Sequence, residues 1–124
     1  NLWMNNTDRC CEIRKVKPLD KILKNYNSWI SGRKSYHQGE RINLKPFELL
    51  NKKIVVNPLI NIKKKEADNY FEANDLPQHP LLKKGYFSIG CIHCTFKTND
   101  KSNMRSGRWK SKLKTECGIH LNRK

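Results

Sequence analysis

The chain has few acidic residues and no long apolar run. It carries 11 Asp and Glu against 26 Lys and Arg, which gives a formal net charge of +15 at pH 7. The excess favours a polyanionic partner, although a genome of biased base composition would enrich Lys, Asn and Ile in the same way. The longest aliphatic run, Ile54-Val55-Val56, falls far short of the roughly 18 residues that cross a bilayer. The sequence therefore predicts no membrane partner.

Sequence signals for an internal boundary are also absent. No repeat, low-complexity tract or Gly/Ser-rich linker divides the chain, so we expect residues 1–124 to belong to one domain. The sequence starts at Asn1 rather than Met, without capping or turn residues. We therefore expect it to be part of a longer protein with an upstream half.

Cysteine is present in an odd number, five, and no signal peptide precedes it. This favours a cytoplasmic protein, in which cysteine pairs more often bind metals or carry redox chemistry than form structural disulfides. Cys91 and Cys94 have the two-residue separation at which thiolates bind a metal or an iron–sulfur cluster. Cys10 and Cys11 are adjacent, and a disulfide between neighbours would close a strained ring.

The spacing of the two pairs favours an iron–sulfur cluster over zinc. Compact zinc modules bring their second pair within about twenty residues, whereas Cys11 and Cys91 lie about eighty residues apart. A four-iron cluster tolerates such a distance because each thiolate binds its own iron. Zinc remains an alternative, as does a role for Cys10 and Cys11 as small buried hydrophobic residues.

The fifth cysteine, Cys117, has a different setting. Lys112 and Lys114 precede it, and nearby cations favour the thiolate, which is the nucleophilic form. Gly118 follows it and leaves room for a substrate. The alternative is an incidental exposed thiol near the chain end.

Local patterns predict short helices and strands. Apolar residues at helical spacing predict an amphipathic helix after Pro18, and a second helix is predicted over Lys64–Asn74. Strands are predicted at three places, with a hairpin turn at Asn51-Lys52; they are Ser28–Ser31, Phe47–Leu50 and Ile54–Leu59. Residues 33–45 have no period and predict a cation-bearing loop, either a flap over a substrate or a solvated segment.

A series of different short motifs extends along nearly the whole chain. They are Cys10-Cys11-Glu12-Ile13-Arg14-Lys15-Val16, Asn74-Asp75-Leu76-Pro77, His79-Pro80-Leu81, Gly85-Tyr86, Ser88-Ile89-Gly90-Cys91, Cys94-Thr95, Arg105-Ser106-Gly107-Arg108-Trp109 and Lys114-Thr115-Glu116-Cys117-Gly118-Ile119-His120. In this order they resemble the assimilatory sulfonucleotide reductases. The resemblance is closest to the iron–sulfur branch, adenylyl sulfate (APS) reductase.

This resemblance implies an α/β fold, the C-terminal part of a Rossmann-like domain of the adenine nucleotide alpha hydrolase type. The family's phosphate-binding loop, a Gly-rich turn between a strand and a helix, has no counterpart in the sequence. We therefore expect the N-terminal half of the domain to be missing from residues 1–124, and these residues alone to have little activity.

The resemblance also implies a reaction. Cys117 would attack the sulfur of APS, release AMP and carry the sulfo group as an S-sulfonate, from which thioredoxin or glutaredoxin releases sulfite. A 4Fe-4S cluster would be bound by Cys10, Cys11, Cys91 and Cys94. The implied substrate-binding residues are Lys15, Arg41, Arg105, Arg108 and His120. Ile119 stands where the family usually has leucine, which is a mild change.

Two alternatives differ in what they predict. A reductase of the same family would act on 3′-phospho-APS (PAPS) instead of APS. A basic, metal-stapled nucleic-acid-binding module would bind duplexes with a steep salt dependence and would not respond to Cys117→Ser. The sequence favours the reductase, which needs no nucleic-acid partner, and sets no oligomeric state.

Overall fold

The computed structural model describes residues 1–110 and 112–121. They form two units, which are treated separately below. The sheet unit comprises Asn1–Gly32, Lys45–Pro58 and the tail from Glu116 onward. The turn unit comprises Arg33–Leu44 and Leu59–Thr115.

The sheet unit begins with consecutive helical segments. These are α1 (Leu2–Asn5), α2 (Thr7–Cys11), a π-helical turn (Glu12–Val16) and α3 (Lys17–Leu23). Asn6 caps α2, because its side chain accepts a hydrogen bond from the Arg9 N–H at 2.9 Å. Pro18 lies in the first turn of α3, where its missing N–H is not needed. The predicted helix after Pro18 is confirmed.

Three short strands form a mixed sheet in the order β1-β3-β2. They are β1 (Ser28–Ile30), β2 (Phe47–Leu50) and β3 (Lys53–Val56). Strand β1 runs parallel to β3, and β2 runs antiparallel to it. The hairpin turn has positive φ at both Asn51 (49°) and Lys52 (62°), as a two-residue hairpin turn with the right-handed twist requires. The α/β class and the hairpin are confirmed.

The predicted extension of the second hairpin strand to Leu59 is wrong. Strand β3 ends at Val56 because Asn57, 1% exposed, uses its hydrogen bonds to close the hairpin base. Its side-chain amide donates to the Lys45 carbonyl at 2.8 Å and to the Glu48 carboxylate at 2.6 Å.

The two faces of this sheet differ in burial. Val55 is fully buried and pairs in register with Trp29 and Glu48, so these three side chains share one face. Leu19 and Leu23 of α3 line a cleft together with Trp29, which places α3 on that face. The opposite face is exposed and apolar, with Ile30 at 74% and Leu49 at 71%.

The turn unit consists of one regular helix, α4 (Lys64–Ala73), and short 3₁₀ turns. Glu66 caps α4 by accepting a hydrogen bond from the Lys63 N–H at 2.7 Å. The predicted helix over Lys64–Asn74 is confirmed, one residue shorter at its end. The predicted loop carries two of the 3₁₀ turns, Ser35–His37 and Gly39–Asn43. In the described residues, no helix combines the length and apolarity needed to cross a membrane.

Candidate functional site

The adjacent cysteines belong to the sheet unit. Cys10 and Cys11 form the last turn of α2, and neither is in a disulfide. Cys11 is buried, whereas Cys10 is half-buried. The π-helical turn Glu12–Val16 follows directly, and such turns are frequent at functional sites because they reorient the side chains that follow.

Lys15 lies half-buried within this π-helical turn. Glu12, at the start of the same turn, pairs with Arg9 at 2.7 Å and Lys17 at 3.5 Å. The hydrogen bond from Arg9 lowers the pKa of Glu12, and the charges of Arg9 and Lys17 act in the same direction. Glu12 therefore offsets the charges of Arg9 and Lys17 and leaves Lys15 outside this ion-pair group.

The tail that carries Cys117 also lies in the sheet unit. Gly118 has φ of +93°, a conformation that favours glycine. It begins a turn in which the Leu121 N–H donates to the Gly118 carbonyl at 3.3 Å. The Cys117 side chain is half-buried. The thiol thus sits immediately before a tight turn.

That turn packs against the buried face of the sheet. The His120 ring stacks on Trp29 with centroids 5.1 Å apart and planes inclined by 8°. The Asn51 side-chain amide donates to the Leu121 carbonyl at 3.2 Å. Beside these contacts lies a cleft of about 370 Å³, lined by Leu19, Asp20, Leu23, Lys24, Trp29, Leu50, Asn51, Lys53 and Ile119.

The second cysteine pair belongs to the turn unit, on a 3₁₀ turn over Ile92–Cys94. The Cys94 N–H donates to the Cys91 carbonyl at 2.9 Å. Thr95 closes the turn, because its hydroxyl donates to the same carbonyl at 2.9 Å and accepts from the Gly90 N–H at 3.0 Å. Cys94 is buried and Cys91 is exposed, and neither is in a disulfide.

Arg108 lies across this cysteine turn. Its Nε donates to the Cys94 carbonyl at 3.0 Å, and its Nη1 donates to the Ile89 carbonyl at 3.4 Å. The guanidinium carbon is 4.3 Å from the centroid of the Trp109 ring. Gly90 makes room for this cation, since a Cβ at that position would lie 2.2 Å from the Arg108 Nη2.

Arg105 approaches the same indole. Its guanidinium carbon lies 5.8 Å from the Trp109 ring centroid, and its Nη2 donates to the Thr115 carbonyl at 2.7 Å. Trp109 is only 3% exposed, and its indole Nε1 is buried without a hydrogen-bond partner among the described residues. Two arginines therefore approach one buried indole ring.

Arg41 lies on the 3₁₀ turn Gly39–Asn43, where its Nη1 is 3.3 Å from the His37 Nδ1. Burial lowers the pKa of Lys34, and the charge of Arg41 lowers it further. Thr115 links this turn to Arg105, because its hydroxyl donates to the Glu40 carboxylate at 2.9 Å while its carbonyl accepts from Arg105. Thr115 thus connects the 3₁₀ turn that carries Arg41 to Arg105.

The predicted site residues divide between the two units. The sheet unit holds Cys10, Cys11, Lys15, Cys117 and His120, and the turn unit holds Arg41, Cys91, Cys94, Arg105 and Arg108. Among residues 1–110 and 112–121, no three His, Cys, Asp or Glu side chains form a group that could hold a metal ion. The arrangement is clearest for Arg105, Arg108 and Cys94, which one aromatic ring and one hydrogen bond bring together.

Sequence reasoning missed four residues that hold these groups in place: Trp29, Asn51, Trp109 and Thr115. The signal for Trp29 was its place in a predicted strand, whose alternation puts it on the same face as Val55. Its contact with His120 depends on tertiary packing. Trp109 directly follows Arg108, and Arg–aromatic neighbours often stack.

Comparisons with known proteins cover nearly the whole chain. Residues 1–97 match the phosphoadenosine phosphosulfate reductase domain model. The chain is 41% identical over 121 residues to an adenosine 5'-phosphosulfate reductase of Chelativorans sp., a match that covers 98% of the chain and 49% of the relative. It is 39% identical over 122 residues to one of Mycobacterium tuberculosis, covering 97% of the chain and 48% of the relative. The chain thus spans about half the length of these relatives.

A solved structure supports the same assignment. The crystal structure of phosphoadenylyl-sulfate (PAPS) reductase from Candida auris, a phosphate complex, aligns with a TM-score of 0.63 and 30% identity. The alignment covers 75% of this chain and 45% of that one. With a family model matched over residues 1–97, the chain belongs to the phosphoadenosine phosphosulfate reductase domain family.

Proposed function

We propose that the protein to which this chain belongs is a cytoplasmic, thioredoxin-dependent APS reductase that forms sulfite and AMP. The names and identities of the bacterial relatives support APS as the substrate. The observation that carries the proposal is the way in which the tail around Cys117 packs. The described part of the tail contacts the rest of the sheet unit through Gly118, His120 and Leu121, so the half-buried Cys117 thiol lies directly beside an anchored turn.

The proposed reaction has two steps. The Cys117 thiolate attacks the sulfur of APS, the bond from that sulfur to the phosphate oxygen breaks, and AMP leaves with the electron pair. A thiolate of thioredoxin then attacks the Cys117 sulfur and expels sulfite. The second thioredoxin thiol resolves the mixed disulfide and restores Cys117. The reductant supplies both electrons.

Cations would assist the first step. Attack at sulfur places negative charge on the departing phosphate, so positive groups aimed at that oxygen stabilise the transition state more than the ground state. Arg105 and Arg108 suit this role because a guanidinium offers a fixed fork of donors, and the Trp109 ring orients both. Lys15, Arg41 and His120 are the further proposed substrate-binding residues.

We also propose a 4Fe-4S cluster held by Cys10, Cys11, Cys91 and Cys94. The chemistry of the donor set fits this group, since four cysteines in two pairs, none in a disulfide, are the ligands that such clusters take. When bound, the cluster supplies negative charge near the substrate rather than the reducing electrons. Lys15, four residues beyond Cys11, would then reduce the repulsion between this charge and APS.

The test compares serine variants of the whole protein, purified without oxygen. We expect incubation with APS to leave an S-sulfonate on the tail peptide of the native protein, detected by mass spectrometry. Cys117→Ser should abolish the adduct and retain the iron. Cys91→Ser is the matched control and should lose iron instead. Normal sulfite production by Cys117→Ser, or zinc in place of iron, would contradict the proposal.

PAPS is the second candidate substrate, and the Candida auris structure favours it because that protein is named a PAPS reductase. The two substrates differ only in a 3′-phosphate. Measuring kcat/KM for APS and for PAPS on the whole protein decides between them. We expect APS to be preferred, since the relatives of higher identity are named for it.

A further inference from the structure

Trp29 occupies a fixed place in the sheet unit. It is the central residue of β1 and lies opposite Val55, the fully buried residue of β3. Because β1 is hydrogen-bonded to β3, the Trp29 indole has a defined position on the buried face of the sheet. The His120 ring lies parallel to it with centroids 5.1 Å apart. Trp29 is therefore a rigid platform for a ring that lies three residues beyond Cys117.

Other contacts also hold the described part of the tail. Asn51 donates one hydrogen bond to the Leu121 carbonyl at 3.2 Å. Gly118 lies beside Val16, since a Cβ at residue 118 would be at ordinary contact distance, 3.5 Å, from the Val16 Cγ2. Ile119 lines the open cleft of about 370 Å³ beside Trp29. A ring stack, a hydrogen bond and packing contacts therefore hold the described part of the tail against the rest of the sheet unit.

We propose that Trp29 is a positioning residue for Cys117. By docking His120, its ring holds the tail against β1 and fixes where the thiol stands when it attacks. When the His120 ring leaves Trp29, the Cys117 sulfur becomes accessible to thioredoxin, which removes the sulfo group. This inference rests on the proposed function, but the docking itself is testable without APS.

The first test measures the reactivity of Cys117 in the reduced whole protein, without APS. Iodoacetamide is applied in short pulses, and alkylation is read by mass spectrometry on the tryptic peptide Thr115–Arg123, whose only cysteine is Cys117. We expect Trp29→Ala to raise the alkylation rate of Cys117 roughly three- to tenfold, as expected for the loss of one ring stack. Trp29→Phe, which keeps a ring, should restore most of the protection.

Two internal controls separate undocking from unfolding. Cys94 is buried, so its alkylation reports a general loss of structure. Fragment ions of the peptide Gly85–Lys97 must locate the label, because this peptide also contains the exposed Cys91. Phe47→Ala removes an exposed aromatic residue from the same sheet and should leave the Cys117 rate unchanged. If Trp29→Ala also exposes Cys94, Asn51→Asp decides, because it replaces the amide donor to the Leu121 carbonyl with an acceptor and should still accelerate the alkylation of Cys117. An unchanged Cys117 rate in the folded variant overturns the inference.

The second test separates this inference from the proposed function. In the whole protein, Trp29→Ala should slow S-sulfonate formation in a single turnover, whereas thioredoxin should release sulfite from the preformed adduct at least as fast as in the native protein. Equal slowing of both steps would contradict a positioning role. If no adduct forms even in the native protein, the proposed function is wrong. The alkylation rates would still show whether Trp29 holds the tail in place.

Discussion

The Arg108 side chain and the Cys94 backbone are joined directly, since the Arg108 Nε donates to the Cys94 carbonyl at 3.0 Å. The Trp109 N–H donates to the same carbonyl at 3.2 Å. The cation that we assign to the substrate is therefore anchored to a turn that we assign to the cluster. Any change that moves one should disturb the other, and this coupling supports the first two predictions.

Arg108→Lys should weaken substrate use although it keeps the charge. Lysine offers a point charge in place of a planar fork, so it loses the bond to Cys94 and the stack on Trp109 together. We expect kcat/KM for APS to fall roughly 10- to 100-fold, the range for hydrogen bonds to a charged group. Steady-state kinetics on the whole protein measure it. Lys110→Gln, which removes an exposed charge two residues away, is the control and should change little.

Gly90→Ala should reproduce part of this loss without touching Arg108. A Cβ at residue 90 would lie 2.2 Å from the Arg108 Nη2, which is the far end of a flexible side chain. We therefore expect the protein to fold while the guanidinium moves away from Cys94. The measurement is a double-mutant cycle with Arg108→Lys on kcat/KM, in which the two losses should not add. Full additivity would show that Gly90 acts independently of Arg108.

Local patterns were enough to predict several elements of the fold. The hairpin at Asn51-Lys52 and the helix over Lys64–Ala73 follow from residue spacing and turn propensity, which act within a few residues. The π-helical turn Glu12–Val16 was not predicted because helical periodicity does not distinguish it from a regular helix.

The candidate site was predicted less completely than the fold. The family resemblance predicted the arginines and cysteines of the site. The contacts that hold these residues in place join residues far apart in sequence. Trp29 meets His120, and Thr115 meets Glu40, only after folding. A single sequence carries no local signal for such pairs, because neither partner needs the other to form its own strand or turn.

Gly107→Ala should destabilise the turn unit. A Cβ at this residue would lie 2.3 Å from the Phe96 carbonyl oxygen, and this backbone cannot move aside cheaply. The Gly107 carbonyl also accepts from the Phe96 N–H at 2.8 Å, which keeps the two segments close. We expect a loss of roughly 1–3 kcal/mol in the free energy of unfolding, as for overpacking. Urea unfolding of the chain measures it.

Gly32→Ala is the matched control for that variant. No atom lies within 4 Å of a Cβ at residue 32, so the substitution meets no steric resistance. We expect a change within about 0.5 kcal/mol, as at an ordinary surface position. A comparable loss in both variants would indicate that glycine flexibility matters here rather than the contact with Phe96.

Arg41→Gln should raise the pKa of Lys34. Burial is the main cause of the lowered pKa of Lys34, and the Arg41 charge is the second. Removing that charge should therefore return the pKa only part of the way toward its ordinary value. An NMR titration of the lysine side-chain signals measures the shift. A lowered or unchanged pKa would mean that the Arg41 charge does not act on Lys34.

Asp100→Asn should remove an acid-sensitive contribution to stability. Hydrogen bonds from Ser102 and Asn103 lower the pKa of Asp100 below its usual 3.8. The folded state therefore binds this proton less readily than the unfolded chain, so the contribution is complete above pH 3.8 and is lost as the pH falls through the lower, folded value.

Asparagine keeps an acceptor oxygen but not the charge. The melting temperatures of the native and Asp100→Asn chains should differ at neutral pH and converge as the pH falls through the lowered pKa of Asp100. Glu72→Gln, a change of one exposed carboxylate on α4, controls for the loss of charge alone. A constant difference at every pH would contradict the assignment.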